Sequence, residues 1–332
     1  MNPTTTPLLS EALRRTLGHR HWQVRALHAS GFCDTWQIDD GRLRVFVKSA
    51  AGPGGEVLRA EADGLRALAQ THTIDVPEVL WLETDAPSGL TLLGLEWLDL
   101  RPPDAGFGAR FGRAMAALHV AALPALPGAA RYGWARDNWL GATPQCNAPE
   151  MDWVTFFSRH RLGALSERLM QTGTEHAALC DAVQAVVDRW QALFDDGHEP
   201  RPSLLHGDLW SAPRPAAFAS GPPWGMRKLG AARRFLMSGN WGMRADGRPV
   251  IFDPAVYIGD AEAELAMMEL FGAPPAGFWP AYAAAGPGLH PGYARRRGVY
   301  QLHHLLNHAL LFGGGYAAQA LSSAQQVLRT LG

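Results

Sequence analysis

The 332-residue chain has only three cysteines, Cys33, Cys146 and Cys180. They are too few and too scattered for a disulfide framework or a thiolate zinc site. A reducing, cytoplasmic compartment suits that composition. No run of about 18 apolar residues occurs, so no membrane-spanning helix is expected. Met1 to Gly18 lacks a basic segment leading into an apolar one, and does not read as a secretory signal. Charge is also scarce: charged residues are 18% of the chain and the net charge is −1, which offers no basic footprint to a nucleic acid. No internal repeat is visible. Apolar residues are plentiful, at 47%, enough for a large core, and the length suggests two domains or lobes.

Read in order, the chain begins with a short helix over Pro7–Leu17 and three strand-like runs, Trp22–Leu27, Phe32–Ile38 and Leu43–Val47. Lys48 follows the third. The next segment, Gly55–Gln70, carries Leu58, Ala62, Leu65, Leu68 and Ala69 at helical spacing, and Glu61 falls on that apolar stripe. A carboxylate on a buried face needs a partner, and Lys48 is a fitting one. Strands are expected over Val79–Glu83 and Leu90–Leu98, and a helix over Phe107–Ala121. Tyr132 to Gln145 is aromatic, glycine-rich and not helical. Its Asp137 and Asn138 suit either a sugar site or a loop pinned by its tryptophans. Two amphipathic helices follow. Helices are then expected over Ala263–Leu270 and Tyr293–Ala320, the last with His303, His304 and His308 as core residues.

The stretch from Leu204 to Asp260 holds the chemistry. Asp208 follows Leu204-Leu205-His206-Gly207, Asn240 follows Gly239, and Asp253 follows Val250-Ile251-Phe252. Two acids and an amide, each just after a short apolar run, are what phosphoryl transfer requires. One carboxylate takes the acceptor hydroxyl's proton, and the other two groups hold magnesium against the nucleotide phosphates. His206-Gly207-Asp208-Leu209-Trp210, Phe252-Asp253-Pro254-Ala255-Val256-Tyr257 and Glu269-Leu270-Phe271-Gly272 resemble the fructosamine kinase (ketosamine-3-kinase) family, within the aminoglycoside-phosphotransferase and protein-kinase-like group. The likeness covers the chain outside one insertion. In the family the Asn closes a run like H-G-D-L-W-S-G-N; here Ala212 to Ser238, 27 residues, intervene. The insertion carries Arg214, Arg227, Lys228, Arg233 and Arg234 and no acid, so the net −1 divides into +5 here and −6 elsewhere.

That resemblance implies an α+β, bilobal, protein-kinase-like fold. A small β-rich lobe over 1–100 would cover ATP, and a larger, mainly helical lobe over 101–332 would carry catalysis. It implies ATP-dependent phosphorylation of the 3-hydroxyl of a small-molecule or protein-bound ketoamine, a deglycation activity. Asp208 would be the base, Asn240 and Asp253 the magnesium ligands, and Lys48 with Glu61 the phosphate-binding pair. The hinge backbone at Glu96 and Leu98 would pair with adenine, and Ser30-Gly31-Phe32 would cover the phosphates. Asp137, Asn138 and Trp210 would meet the sugar. Glu264 stands where the family has Asp as a brace for the catalytic loop, which implies a looser brace. Phe252-Asp253-Pro254 in place of Asp-Phe-Gly argues against a protein kinase. Two alternatives stand beside this: a weakly active or inactive kinase fold, because the insertion splits the loop, and a kinase of the aminoglycoside or choline type. The insertion is expected to project from the cleft rim and lower turnover, because a displacement of about 1 Å at Asn240 costs on the order of a hundredfold in rate. Cys33, beside the phosphate turn, is a candidate oxidant sensor through an intermolecular disulfide.

Overall fold

The computed structural model describes residues 5–18, 21–29, 33–210, 239–286 and 288–332. The Ser30-Gly31-Phe32 turn and the 212–238 insertion lie outside them. The N-terminal part is an antiparallel sheet of five strands: β1 (Gln23–Ala29), β2 (Asp34–Asp39), β3 (Arg44–Ala51), β4 (Val79–Asp85) and β5 (Leu90–Glu96). Their order in the sheet is β1-β2-β3-β5-β4. Alternation along β3 divides its side chains between two cores. Val45 and Val47 join Trp36, Ile38 and Leu92 under α1 (Thr5–Leu17), while Ala50 joins Cys33, Leu93 and Leu95 under α2 (Gly54–Gln70). Lys48 has the parity of Ala50 and so faces α2. Arg15 on α1 clasps Asp85 at the end of β4, with Nε and Nη2 both 2.7 Å from the carboxylate. That clasp holds Asp85 well below the usual carboxylate range.

The C-terminal part is mainly helical around one large core, with short strands at its upper edge. These are β6 (Leu100–Arg101), β7 (Asn138–Leu140), β8 (Thr143–Gln145), β9 (Pro202–Leu205), β10 (Trp241–Arg244), β11 (Pro249–Ile251) and β12 (Tyr257–Asp260). They pair as β11-β10-β6, β12-β9 and β7-β8. Leu68 at the end of α2 and Ile74 beyond it are buried in this second core, so α2 spans both parts of the molecule. The expected helix Tyr293–Ala320 is two, Tyr293–Phe312 and Gly315–Thr330. Gly313 and Gly314, at φ 59° and 57°, make the break, a conformation that other residues adopt at a cost. His303 and His304 are buried, as expected of core residues, and burial holds both well below the ordinary histidine range.

A charged network ties these helices to β12. Asp260 accepts a hydrogen bond from the Glu262 amide (3.0 Å), capping the helix Ala261–Leu270, and another from the Tyr300 hydroxyl (2.8 Å). His198 Nε2 lies 2.9 Å from the same carboxylate. Arg296, fully buried, reaches Glu262 (2.7 Å) and Asp196 (2.6 Å). Ligand-type atoms of His198, Asp260 and Glu262 lie within 4.8 Å of one another, but Arg296 and Tyr300 already match the two acids. Burial alone would lower the His198 pKa; the Asp260 hydrogen bond and the charges of Asp260 and Glu262 outweigh it and raise the pKa. A group raised on folding stabilises the protein fully below its unfolded pKa, about 6.5, and that contribution is lost as pH rises through the folded value. His198→Gln is therefore expected to flatten the fall in melting temperature from about pH 6 to about pH 8. Parallel curves for the two proteins would take His198 out of the account.

Candidate active site

Three loops meet where the two parts of the chain face each other. His206-Gly207-Asp208 leaves the end of β9, Asn240 precedes β10 and Asp253 follows β11. The first loop is fixed from below. Glu264, fully buried, accepts hydrogen bonds from the amides of His206 and Gly207, each at 2.9 Å. The longer glutamate thus reaches both amides, and the looser brace expected from the sequence is not found. Burial opposes its charge, but the His119 hydrogen bond and the charges and amide around it keep it below the usual carboxylate range. His206 is buried and held neutral by that burial. Its Nε2–H donates to the Phe252 carbonyl (2.9 Å), and its Nδ1 accepts from the Asp208 amide (3.2 Å). One imidazole therefore joins the Asp208 loop to the Asp253 loop. Gly207 has φ 83°, and a Cβ there would lie 2.1 Å from the Ala255 carbonyl oxygen, so only glycine fits.

Asn240 comes to the same place despite the insertion. Its amide donates to the Trp210 carbonyl (3.3 Å), and its Nδ2 donates to the Asp208 carbonyl (2.9 Å) and to Asp208 Oδ2 (3.2 Å). Its carbonyl accepts from the Phe252 amide at 3.1 Å. The loop is split in sequence but closed in space, and this removes the geometric reason for a handicap. Deleting 212–238, which joins Ser211 to Gly239, is expected to leave turnover within a few fold of the intact protein. Loss of turnover on deletion, or a gain of an order of magnitude, would show that the insertion does more than bridge.

Lys48 sits across the cleft. Its Nζ lies 2.7 and 2.8 Å from the two oxygens of Glu61 and 2.7 Å from Asp253 Oδ1. Lys48 and Glu61 are buried, at 7% and 8% exposure, whereas the Asp253 side chain is 46% exposed toward the cleft. Burial works against the ammonium, but Asp253 and Glu61 outweigh it and hold Lys48 charged. Asp253 adopts φ 59°, a left-handed conformation unusual outside glycine, which turns its carboxylate toward Lys48. Burial, and then the Asp253 charge, push the Asp208 carboxyl well above its ordinary value.

Lys48, Asp208 and Asp253 line a cleft of about 1320 Å³, and Glu61 and Asn240 are hydrogen-bonded to them. Leu98, Trp210 and Glu96 line it too, Leu98 outside any strand. The Glu96 amide is taken by the Glu78 carbonyl (2.9 Å), so of its backbone only the carbonyl remains for a base. Its side chain is held by Arg244, which also lies 3.4 Å from Asp75, an ion cluster that no local pattern signals because its members are far apart in sequence. Beyond Asp208 the wall is formed by Leu140 at the end of β7 and by Met267, Phe271, His308 and Phe312, on or next to helices whose apolar stripes gave no sign of a cleft.

Asp137 and Asn138 do not join the group. Asp137 accepts from the Asn147 amide (2.8 Å). Asn138 is buried, donates to the Val256 carbonyl (2.7 Å) and accepts from Gln145 (2.9 Å). Neither lines the cleft. Asn138 ties the 132–145 loop to Val256 and Asp137 ties it to Asn147, and with neither at the cleft the sugar-binding role gives way to a structural one. Cys33 is buried in the cleft wall, at 8% exposure, a placement that disfavours a disulfide to a second copy.

Among the described residues no helix is long and apolar enough to cross a membrane. The chain matches the fructosamine kinase family model over residues 3–218 and 235–330; the unmatched segment falls inside the insertion. It is 36% identical to a protein of Synechocystis sp. named probable ketoamine kinase, over 99% of this chain and 98% of that one. It is 34% identical to a chloroplastic protein-ribulosamine 3-kinase of Oryza sativa subsp. indica, over 86% of this chain and 73% of the other. A crystal structure assigned as a fructosamine-3-kinase of Thermobifida fusca superposes with a TM-score of 0.75 at 28% identity, covering 96% of this chain and 98% of that one. With its sheet, its catalytic loops and nearly its whole length accounted for in this way, the chain belongs to the fructosamine kinase family.

Proposed function

We propose that this protein transfers the γ-phosphoryl group of ATP to the 3-hydroxyl of a ketoamine sugar, a ribulosamine or fructosamine borne by a small amine or by a protein lysine. The observation that carries the reading is that Lys48, Asp208 and Asp253 line one cleft, with Glu61 bonded to Lys48 and Asn240 to Asp208, from five separate points of the chain. Residues 1–100 act as the lobe over the nucleotide and 101–332 as the lobe under it, with adenine against the backbone at Glu96 and Leu98. Lys48, oriented by Glu61, binds the phosphates. Asp208 orients the acceptor hydroxyl and takes its proton. Its backbone is fixed by Asn240, His206 and Glu264. Trp210, at the cleft wall, offers a ring face to the sugar.

Asn240 and Asp253 fit a magnesium ion. Asn240 commits its Nδ2 to Asp208, which leaves Oδ1 as a hard donor. The Asp253 carboxylate is half exposed, and its charge already raises the Asp208 pKa, the mark of a site with surplus negative charge. A bound magnesium ion would neutralise charge on the transferring phosphoryl group. The protein's own share is positioning and charge placement around the transferring group. The test is magnesium-dependent ATP consumption with a panel of ribulosamines and fructosamines, against aminoglycosides and choline as controls. Turnover with a control and none with any ketoamine would overturn the assignment.

A further inference from the structure

Glu61 can orient Lys48 only if α2 keeps its position, and the apolar face of α2 does not fix that position by itself. Leu58, Ala62 and Leu65 pack on the sheet through non-directional contacts. Directional restraint comes from the other side of the helix. Asp63 Oδ2 accepts a hydrogen bond from Trp134 Nε1 at 2.9 Å, and Arg136 Nε lies 3.9 Å from the same oxygen. Trp134 is 6% exposed and is itself immobilised: its amide donates to the Asn147 carbonyl (3.0 Å), and Gly133 exchanges two hydrogen bonds with Ile258 (3.0 and 2.8 Å). At the next residue, Gly64, a Cβ would lie 3.2 Å from Pro254 Cγ and from both methyls of Val256. So α2 is seated against the residue that follows Asp253, and both carboxylates that contact Lys48 are set by one docking. We propose that Asp63 and Trp134 are positioning residues for phosphate binding: their hydrogen bond latches α2 to the 132–145 loop and, through Glu61, places Lys48. This rests on the reading of Lys48 as the phosphate-binding lysine. Anchorage of the helix end does not depend on the latch, because Leu68 and Ile74 are buried in the large core.

Trp134→Phe keeps the ring and removes the N–H, Asp63→Ala removes the acceptor, and Asp63→Asn retains one. Affinity for ATP with magnesium, titrated without any acceptor, is expected to fall about tenfold in Trp134→Phe and Asp63→Ala, the scale of a lost hydrogen bond to a charged group. Asp63→Asn should stay near wild type, and KM for the ketoamine should stay within about twofold in all three. Wild-type ATP affinity in Trp134→Phe and Asp63→Ala overturns the proposal. So does a parallel weakening of both substrates, which is the signature of general loosening, or an Asp63→Asn variant as weak as Asp63→Ala. Because ATP is titrated alone, a chain that proved to phosphorylate some other acceptor would leave the result intact; a wild-type protein without ATP affinity would remove both readings.

Discussion

Asp208→Asn is expected to abolish phosphoryl transfer while sparing the fold and ATP binding. The substitution is isosteric, and most of what holds the loop is not the carboxylate. Asn240 Nδ2 donates to the Asp208 backbone carbonyl, His206 Nδ1 accepts from its amide, and Glu264 holds the two residues before it. What is lost is the group that takes the acceptor proton, and a positioned base contributes about a hundredfold to ten-thousandfold. The change also removes a carboxyl group whose ionised form burial and Asp253 disfavour, so the melting temperature should hold or rise. Turnover is followed by coupled ATP consumption with the best ketoamine, and nucleotide affinity by titration. A variant above about a tenth of wild-type turnover would place the base elsewhere, since loss of a general base costs far more than that.

Lys48→Met should act on the nucleotide instead. Lys48 is the only described cation within hydrogen-bonding distance of both Glu61 and Asp253, so its loss leaves two carboxylates facing each other across a cleft wall. Removing one partner of a buried ion pair costs roughly 3–5 kcal/mol when the other stays charged. Glu61 can limit that cost by taking up a proton, which burial already favours. The expected result is a loss of about a hundredfold in kcat/KM for ATP, with KM for the ketoamine little changed and a lowered melting temperature that recovers in part at acid pH. Equal kcat/KM for ATP in the two proteins would remove Lys48 from phosphate binding.

Much of this site was legible because its residues carry local signals. Glu61 on an apolar helical stripe announced a buried partner, and Lys48, just after the third strand-like run, was the fitting one. His206-Gly207-Asp208 and Phe252-Asp253-Pro254 each follow short apolar runs, and both runs are strands in the structure. The 132–145 loop misled, because an Asn that binds a sugar and an Asn that satisfies backbone carbonyls look alike in sequence. Only the Val256 carbonyl and Gln145, packed against Asn138, decide between them. Arg244 with Glu96 and Asp75, and Trp134 with Asp63, were invisible for a related reason. Each joins polar residues far apart in the chain, with no periodicity to betray it. The break at Gly313 and Gly314 was missed although glycine pairs are a known stop signal, because apolar periodicity resumes after it.

The meeting of Trp210 with Asn240 bears on how such enzymes change over generations. Backbone hydrogen bonds, rather than peptide continuity, bring the two residues together. A lineage can therefore gain residues at this point without passing through an ancestor whose catalytic groups are dispersed. The junction is a tolerant port in the most constrained part of the molecule, and family members diverging there need not diverge in chemistry. The same property suits engineering: a domain whose own termini lie close together could be grafted between Ser211 and Gly239 to report on, or respond to, events at the cleft.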